Sequence, residues 1–431
     1  MEIFIRDCHH PEDNAMLQSL YSRSPASVLE HEEKVAETGS GKFMDRYYVG
    51  YGHKSIGDCG STTLFFENVS MLAAKAIQDN PLYNGQEAST RYLDFSDIQM
   101  LNPAGTREGV DIQQRWLAFY IKAMPIQVGH LRQAFPRQPG ESKTIYDKAI
   151  KARAFDILRG FLPAGATTNL SWHGNLRQIR DHLAALRNHP IKEMREAAIG
   201  AQDNLVALYP NSFSHKILYE QEEYLKLVGE MSQFFPIDSK TYPVDGVRMR
   251  NTISADLISS NIVVTQRPPK AVLPHYLNEL GQITFEFQLD FGSFRDLQRH
   301  RNGVCRMPLL TVALGFHPWY INNLAPSLQD EANGLIEYQK KAINKLDIPL
   351  AAKQYYVAMG FLVPCRMTRG LPGTVYLIEL RSSPHVHPTA RAVALNMYYG
   401  LMALYPELSI HVDTSPEAWS LRRGTQDIEE R

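Results

Sequence analysis

Three short landmarks occur in the same order in each half of this chain, and that repetition limits its fold more than any single motif does. Gly160-Phe161-Leu162-Pro163, Leu186-Arg187 and Ala207-Leu208-Tyr209-Pro210 follow one another in the first half. Gly360-Phe361-Leu362-Val363-Pro364, Leu380-Arg381 and Ala403-Leu404-Tyr405-Pro406 follow in the second, with similar gaps. An earlier pair of stretches, Ser61 to Ser89 and Gln282 to Leu309, each reads as a strand, then a helix, then a polar segment. Ordered self-similarity at long period is the mark of a duplicated unit. A chain of 431 residues also exceeds one ordinary core. Two tandem copies are therefore expected, 1–212 and 213–431, joined somewhere near residues 211–245.

Local patterning fills in the copies. Ile283, Phe285, Phe287 and Leu289 alternate with Thr284, Glu286, Gln288 and Asp290, the period of a half-buried strand. Leu176, Ile179, Leu183 and Leu186 recur at helical spacing, with Arg177, Arg180 and Arg187 beside them. A second helix is expected over 191–209, between Pro190 and Pro210. The stretch from about 100 to 145, rich in Gln, Arg and Pro, reads as a partly helical insertion. Strands followed by paired helices predict α+β domains rather than a doubly wound sheet.

Charge excludes some partners. Lys plus Arg number 45 against 46 Asp plus Glu, so no bulk field draws the chain to nucleic acid or anionic membrane. No apolar run approaches the roughly 18 residues of a spanning helix. The start, Met1-Glu2-Ile3-Phe4-Ile5-Arg6-Asp7, lacks the build of a signal peptide. Cys8, Cys59, Cys305 and Cys365 are scattered, without a C-x-x-C pair, which fits a reducing cytoplasm and predicts neither disulfide nor zinc site. His9-His10 and His385-x-His387 have no third clustered ligand, so no metal site is expected. Gly39-Ser40-Gly41-Lys42 lacks the remaining letters of a phosphate loop, with Ala36 and Phe43 at its decisive positions. No G-x-G-x-x-G run opens a helix, which sets a dinucleotide-binding Rossmann site aside.

What remains is Arg299-His300-Arg301, at the polar end of the helix that follows the strand at Ile283. Two forked guanidiniums flanking an imidazole can meet a phosphate or a polarised carbonyl. On charge alone a solvated basic patch explains them as well.

Arg-His-Arg, seven residues, then Ser is the signature of the flavin-dependent thymidylate synthase family, and this chain resembles that family with the motif divided between its halves. After Arg299-His300-Arg301 the serine position holds Leu309. In the first half Asp79-Asn80-Pro81 replaces the triplet, but Ser89 follows at the right distance inside Glu87-Ala88-Ser89-Thr90-Arg91-Tyr92, which resembles the family's nucleotide-binding segment. Gly52-His53-Lys54-Ser55 resembles its Gly-His-x-Ser element, although Asp58-Cys59 stands where Glu-His is usual. Arg159 precedes Leu162-Pro163 as the family's phosphate-binding arginine does. Trp172-His173-Gly174-Asn175-Leu176-Arg177 is similar to its Trp-Thr-x-Asn-x-Arg flavin segment. Leu186-Arg187 with Glu193 and Arg195 resembles its Leu-Arg … Glu-Ile-Arg helix pair. The second copy lacks the Asn-x-Arg segment and carries Asp296 where the family has Gln.

The resemblance implies two α+β copies, each a twisted antiparallel sheet flanked by helices. It also implies FAD-dependent reductive methylation of dUMP, with methylenetetrahydrofolate as carbon donor and NADPH as reductant. Glu87, Ser89, Thr90, Arg91, Arg159 and Arg187 would bind the nucleotide. His53, Ser55, Asn175, Arg177, Arg299, His300 and Arg301 would hold the flavin. Arg187, polarising the uracil carbonyl, and Arg299 would act in the chemistry. Arg381 would be a structural or surface residue. A homodimer would reproduce the family's four-subunit assembly with composite sites. Two other readings stay open: a flavoenzyme for another pyrimidine nucleotide or one-carbon donor, and a nucleotide-binding protein without turnover.

Overall fold

A computed structural model describes residues 1–233 and 242–425. Residues 234–241 of the expected junction lie outside the described residues. Among the described residues the chain forms two compact units that are not contiguous in sequence. One comprises the described residues of Met1–Ala88 and Thr167–Phe234, the other those of Ser89–Ala166 and Phe235–Arg431. The boundary therefore passes through Glu87-Ala88-Ser89, inside the nucleotide-binding segment read from the sequence.

The first unit contains a three-stranded antiparallel sheet, β1 (Glu2–Ile5), β2 (Ser61–Ser70) and β3 (Thr167–Asn175), in the order β1-β2-β3. Leu64 lies opposite Trp172, and both are buried. The register shifts between Phe66 and Val69, where Asn68 takes a φ of 58°. Ser70 ends β2 and caps the helix Met71–Gln78, while its backbone N–H and hydroxyl both donate to Glu193. Asn175 ends β3 and accepts from the Gln178 N–H, starting the helix Leu176–Arg187. Its buried residues are Leu176, Ile179, Leu183 and Leu186, the stripe read from the sequence, and the helix Lys192–Leu208 follows.

The second unit contains β4 (Arg248–Asn251), β5 (Ile283–Asp290), β6 (Val304–Arg306) and β7 (Leu362–Arg369), antiparallel in the order β4-β5-β7-β6. Strand β5 leads into the helix Phe291–Gln298, and β7 into the helices Leu371–Arg381 and Pro388–Leu404. In the first unit β2 and β3 likewise lead into helices, but its sheet has three strands where this one has four. The stretch expected as an insertion is helical over Arg107–Ala134, begins at the cap Thr106, and puts Trp116 into the core of this unit.

The expectation of a half-buried β5 is corrected. Glu286, Gln288 and Asp290 are buried along with their apolar neighbours. Each polar side chain has partners that offset its desolvation. Glu286 takes Arg248, Arg250, Arg366 and Tyr242. Gln288 donates to the Tyr242 carbonyl, and Asp290 caps the helix Phe291–Gln298. Alternation in the sequence located the strand, but its polar face is covered by arginines and a tyrosine rather than by water. Among the described residues no helix is long and apolar enough to cross a membrane.

Candidate functional site

The helix Phe291–Gln298 is short because Arg299 is its C-cap, and the turn that follows brings His300 and Arg301 to the end of β7. Asp296, in the last turn, is the carboxylate around which the basic residues gather. Arg159 Nη1 lies 3.3 Å from it and Arg299 Nη1 3.7 Å. The charges of Arg381 and Arg91 also act on it, and together these cations hold its carboxyl far below the usual range despite burial. Arg159 is almost wholly buried and also donates to Ser293 at 2.9 Å.

Arg91 belongs to the same unit. Its Nε donates to Asp156 at 2.7 Å and its Nη2 to the His385 carbonyl at 3.2 Å. Arg423 grips the other oxygen of Asp156 at 2.6 Å and lies over the Tyr92 ring. Asp156, 1% exposed at its side chain, thus carries two guanidiniums, which keep it ionised against the cost of burial. Ser89 Oγ accepts from the Arg91 N–H at 3.3 Å, closing a tight turn, and Thr90 is buried.

A buried polar chain runs within the unit from the backbone carbonyl of Asp156 to the Asp296 carboxylate. His387 Nε2 meets the Asp156 carbonyl, and its Nδ1 meets Ser293 and Thr389. Thr389 and Tyr320 donate to Asp290, at 2.6 and 2.7 Å. Ser293 completes the path to Arg159 and Asp296.

His300 is neutral. Burial, then Arg381, Arg369 and Arg301, push its pKa down to about 2. Its Nε2 accepts from Arg381 Nε at 2.6 Å, so the ring proton is on Nδ1. Arg299, His300, Arg301, Arg369, Tyr376 and Arg381 line a small pocket of about 190 Å³. Among the described residues no carboxylate lines it, so the arrangement can hold an anion.

The structure divides the residues expected at a nucleotide–flavin site. Ser89, Thr90, Arg91, Arg159, Arg299, His300 and Arg301 fall in the second unit. Glu87, His53, Ser55, Asn175, Arg177 and Arg187 fall in the first. There Glu87 accepts from Gln78, and Arg177 pairs with Asp58 at 2.7 Å. Arg187 is engaged by Glu222 and Gln202, Asn175 by its capping bond, and His53 is exposed against Tyr51.

Arg381, expected as a structural or surface residue, donates to His300 and lines the same pocket. Its placement after Leu380 in the repeated Leu-Arg landmark was the available signal. Arg369, Asp156 and Arg423 were not anticipated either; nothing in the local sequence marks them, because strand and helix register alone bring them in.

The fold and this cluster define a mixed helix-and-sheet protein with antiparallel sheets and a basic, anion-suited centre. Residues 8–211 match the model of the Thy1 family, thymidylate synthase complementing protein. The chain is 26% identical to a UPF0159 protein of Chlamydia muridarum, over 84% of this chain and 79% of that one. It is 23% identical to a UPF0159 protein of Thermoplasma acidophilum, over 92% and 94%. Among solved structures it is similar to the UMP/dUMP methylase PolB from Streptomyces cacaoi bound with 5-Br dUMP, with 16% identity over 49% of this chain and 93% of that one, at a TM-score of 0.34. Thymidylate synthase X from Helicobacter pylori with FAD and dUMP is similar at a TM-score of 0.30, with 16% identity over 50% of this chain and all of that one. Likenesses at such TM-scores do not define the fold of this chain.

Proposed function

We propose that this protein is a flavin-dependent enzyme that methylates a pyrimidine nucleotide, dUMP with methylenetetrahydrofolate and NADPH as co-substrates, and that it consists of two diverged copies working as a homodimer. One observation carries the reading. The Ser89-Thr90-Arg91 segment from the first half and Arg299-His300-Arg301 from the second belong to one compact unit, and the charge of Arg91 acts on Asp296 and Arg381. The family match over residues 8–211 supports the chemistry.

The donor set suits FAD, since a pocket lined by guanidiniums beside the Tyr376 ring offers partners for a phosphate and a ring face. Arg299, Arg301 and neutral His300 would hold the cofactor there; the family pattern also assigns His53, Ser55, Asn175 and Arg177 to flavin. Bound flavin supplies the hydride. Arg91 and Ser89 would bind the nucleotide phosphate, with Arg159 held behind them by Ser293 and Asp296. Arg91 enters that role already oriented by Asp156, so little rotamer freedom is lost when an anion arrives. His300, neutral at physiological pH, can donate one hydrogen bond from Nδ1 without adding charge.

A second reading, another pyrimidine nucleotide or one-carbon donor, is favoured by Asp296, which sits where the family has Gln and adds a carboxylate beneath the basic pocket. Both readings are tested by purifying the protein and recording flavin absorption, then assaying conversion of dUMP and UMP with methylenetetrahydrofolate and NADPH. Flavin with dTMP formation supports the first reading. Flavin with turnover of UMP alone selects the second, and absence of flavin rejects both.

A further inference from the structure

We propose that Arg369, at the end of β7, is an anion-binding residue that completes the basic pocket as a cradle for the phosphate or pyrophosphate group of a nucleotide. Arg369 closes β7 opposite Ile283 and is 3% exposed. Its Nη2 donates to the His300 carbonyl at 3.0 Å, while its Nε and Nη1 are buried without a hydrogen-bond partner among the described residues. A guanidinium taken out of water with most of its donors unused is costly, and native structures keep such groups only where something else offsets the cost. Among the described residues no carboxylate counts among the charges acting on it: burial holds its pKa down, and Cys305 acts the other way.

The pocket it lines also presents Arg299, Arg301 and Arg381, whereas Asp296, lying beside Arg299, offsets only part of that charge. Gly373, in the first turn of the helix Leu371–Arg381, lines it too, and a Cβ there would come within 2.8 Å of the Asn302 carbonyl. The glycine therefore lets the positive end of the helix close in on the same space.

Size narrows the ligand. At about 190 Å³ the pocket is smaller than sites for whole drug-sized ligands, about 300–1,000 Å³, and suits a phosphate group. A neighbouring cleft of about 610 Å³ shares Asn302, Tyr376 and Leu380 with it and is walled by Val272, Leu273 and Val375. The cleft also carries Arg267, Lys270, Glu379 and His411, so an ionic pocket beside a cleft with both apolar and polar walls could take a nucleotide with its phosphate at the arginines and its ring along Tyr376. This deepens the nucleotide–flavin reading and rests on it for the ring, although the anion site stands on its own geometry.

The test uses the full chain and inorganic pyrophosphate, followed by calorimetry with FAD and dUMP, on wild type, Arg369→Gln and Arg369→Lys. The Gln variant should bind pyrophosphate roughly ten- to two-hundred-fold more weakly, the loss expected for one charged donor. The Lys variant should recover part of that loss. The unliganded Gln variant should melt no lower than wild type, since it no longer buries an unmatched cation. Weakening of FAD alone assigns the cradle to the cofactor, and of dUMP alone to the substrate; either supports the proposal. Unchanged pyrophosphate affinity overturns it, as does a lowered melting temperature with affinity loss that Lys fails to restore. If wild type binds pyrophosphate through Arg369 but takes up no flavin, the anion site stands and the flavin reading falls.

Discussion

Arg381 Nε donates to Nε2 of His300 at 2.6 Å, tying the Leu-Arg landmark of the chain's second half to the Arg-His-Arg triplet. The bond holds the imidazole in one tautomer and leaves the Arg381 charge within reach of Asp296. Arg381→Ala should therefore weaken flavin retention, and Arg381→Lys should restore little, because a guanidinium Nε–H is placed where an ammonium is not. The flavin-to-protein ratio of the purified variants measures this. Full retention in Arg381→Ala would show the bond to be incidental.

His300 and His387 make stability depend on pH in a defined direction. Their folded-state pKa values are pushed down to about 2 and about 3 by burial and neighbouring arginines, below the ordinary value near 6.5. The unfolded chain thus binds more protons between those limits. Stability from keeping both rings neutral is complete above about pH 6.5 and lost as pH falls, at a slope of up to about 2.7 kcal/mol per pH unit. Chemical denaturation between pH 6.5 and 5 should show that loss. This window lies above the one in which Asp156 and Asp296 protonate, so His387→Asn, if folded, should flatten the slope there.

Asp296 stands between stability and binding. Asp296→Asn leaves the buried Arg159 without its carboxylate, a change that costs about 3–5 kcal/mol when a buried pair is broken. The same change removes negative charge beneath the basic pocket. The variant should melt lower than wild type yet gain more in melting temperature on addition of pyrophosphate. Thermal melts with and without the anion decide it; an equal anion shift in both proteins would contradict the charge argument.

Arg301→Ala and Arg91→Ala should separate the two ligands. Loss of Arg301 should remove flavin, with dUMP affinity measured by calorimetry falling less. Loss of Arg91 should weaken dUMP roughly ten- to two-hundred-fold and spare flavin. Arg91→Ala should also lower stability, because Asp156 would keep only Arg423. A variant that loses stability without losing nucleotide affinity would make Arg91 purely structural.

Arg177 offers a contrast. Its pairing with Asp58 is partly exposed, so Arg177→Ala should change stability by no more than about 1 kcal/mol. Flavin retention should nevertheless fall if the Asn-x-Arg resemblance holds. Unaltered flavin content would remove this residue from the cofactor assignment.

Much of the architecture was legible in the chain itself. Alternation placed β5 on Ile283–Asp290, and helical spacing placed Leu176, Ile179, Leu183 and Leu186 on one buried stripe. Both are periodic signals that depend on local backbone geometry, which a sequence records directly. The motif order of the first half pointed to the family whose model matches residues 8–211. Tertiary structure alone decided that Ser89 and Arg91 pack with the unit that carries Arg299-His300-Arg301, and that Glu87 does not. It also decided that Glu286, polar by pattern, is buried under three arginines, and that Arg369 ends its strand in a basic pocket. The physical reason is the same in each case. Burial and charge pairing are set by contacts between residues far apart in the chain, such as Arg91 with His385 or Arg159 with Asp296. No local period encodes which distant partner will offset a charge once water is excluded.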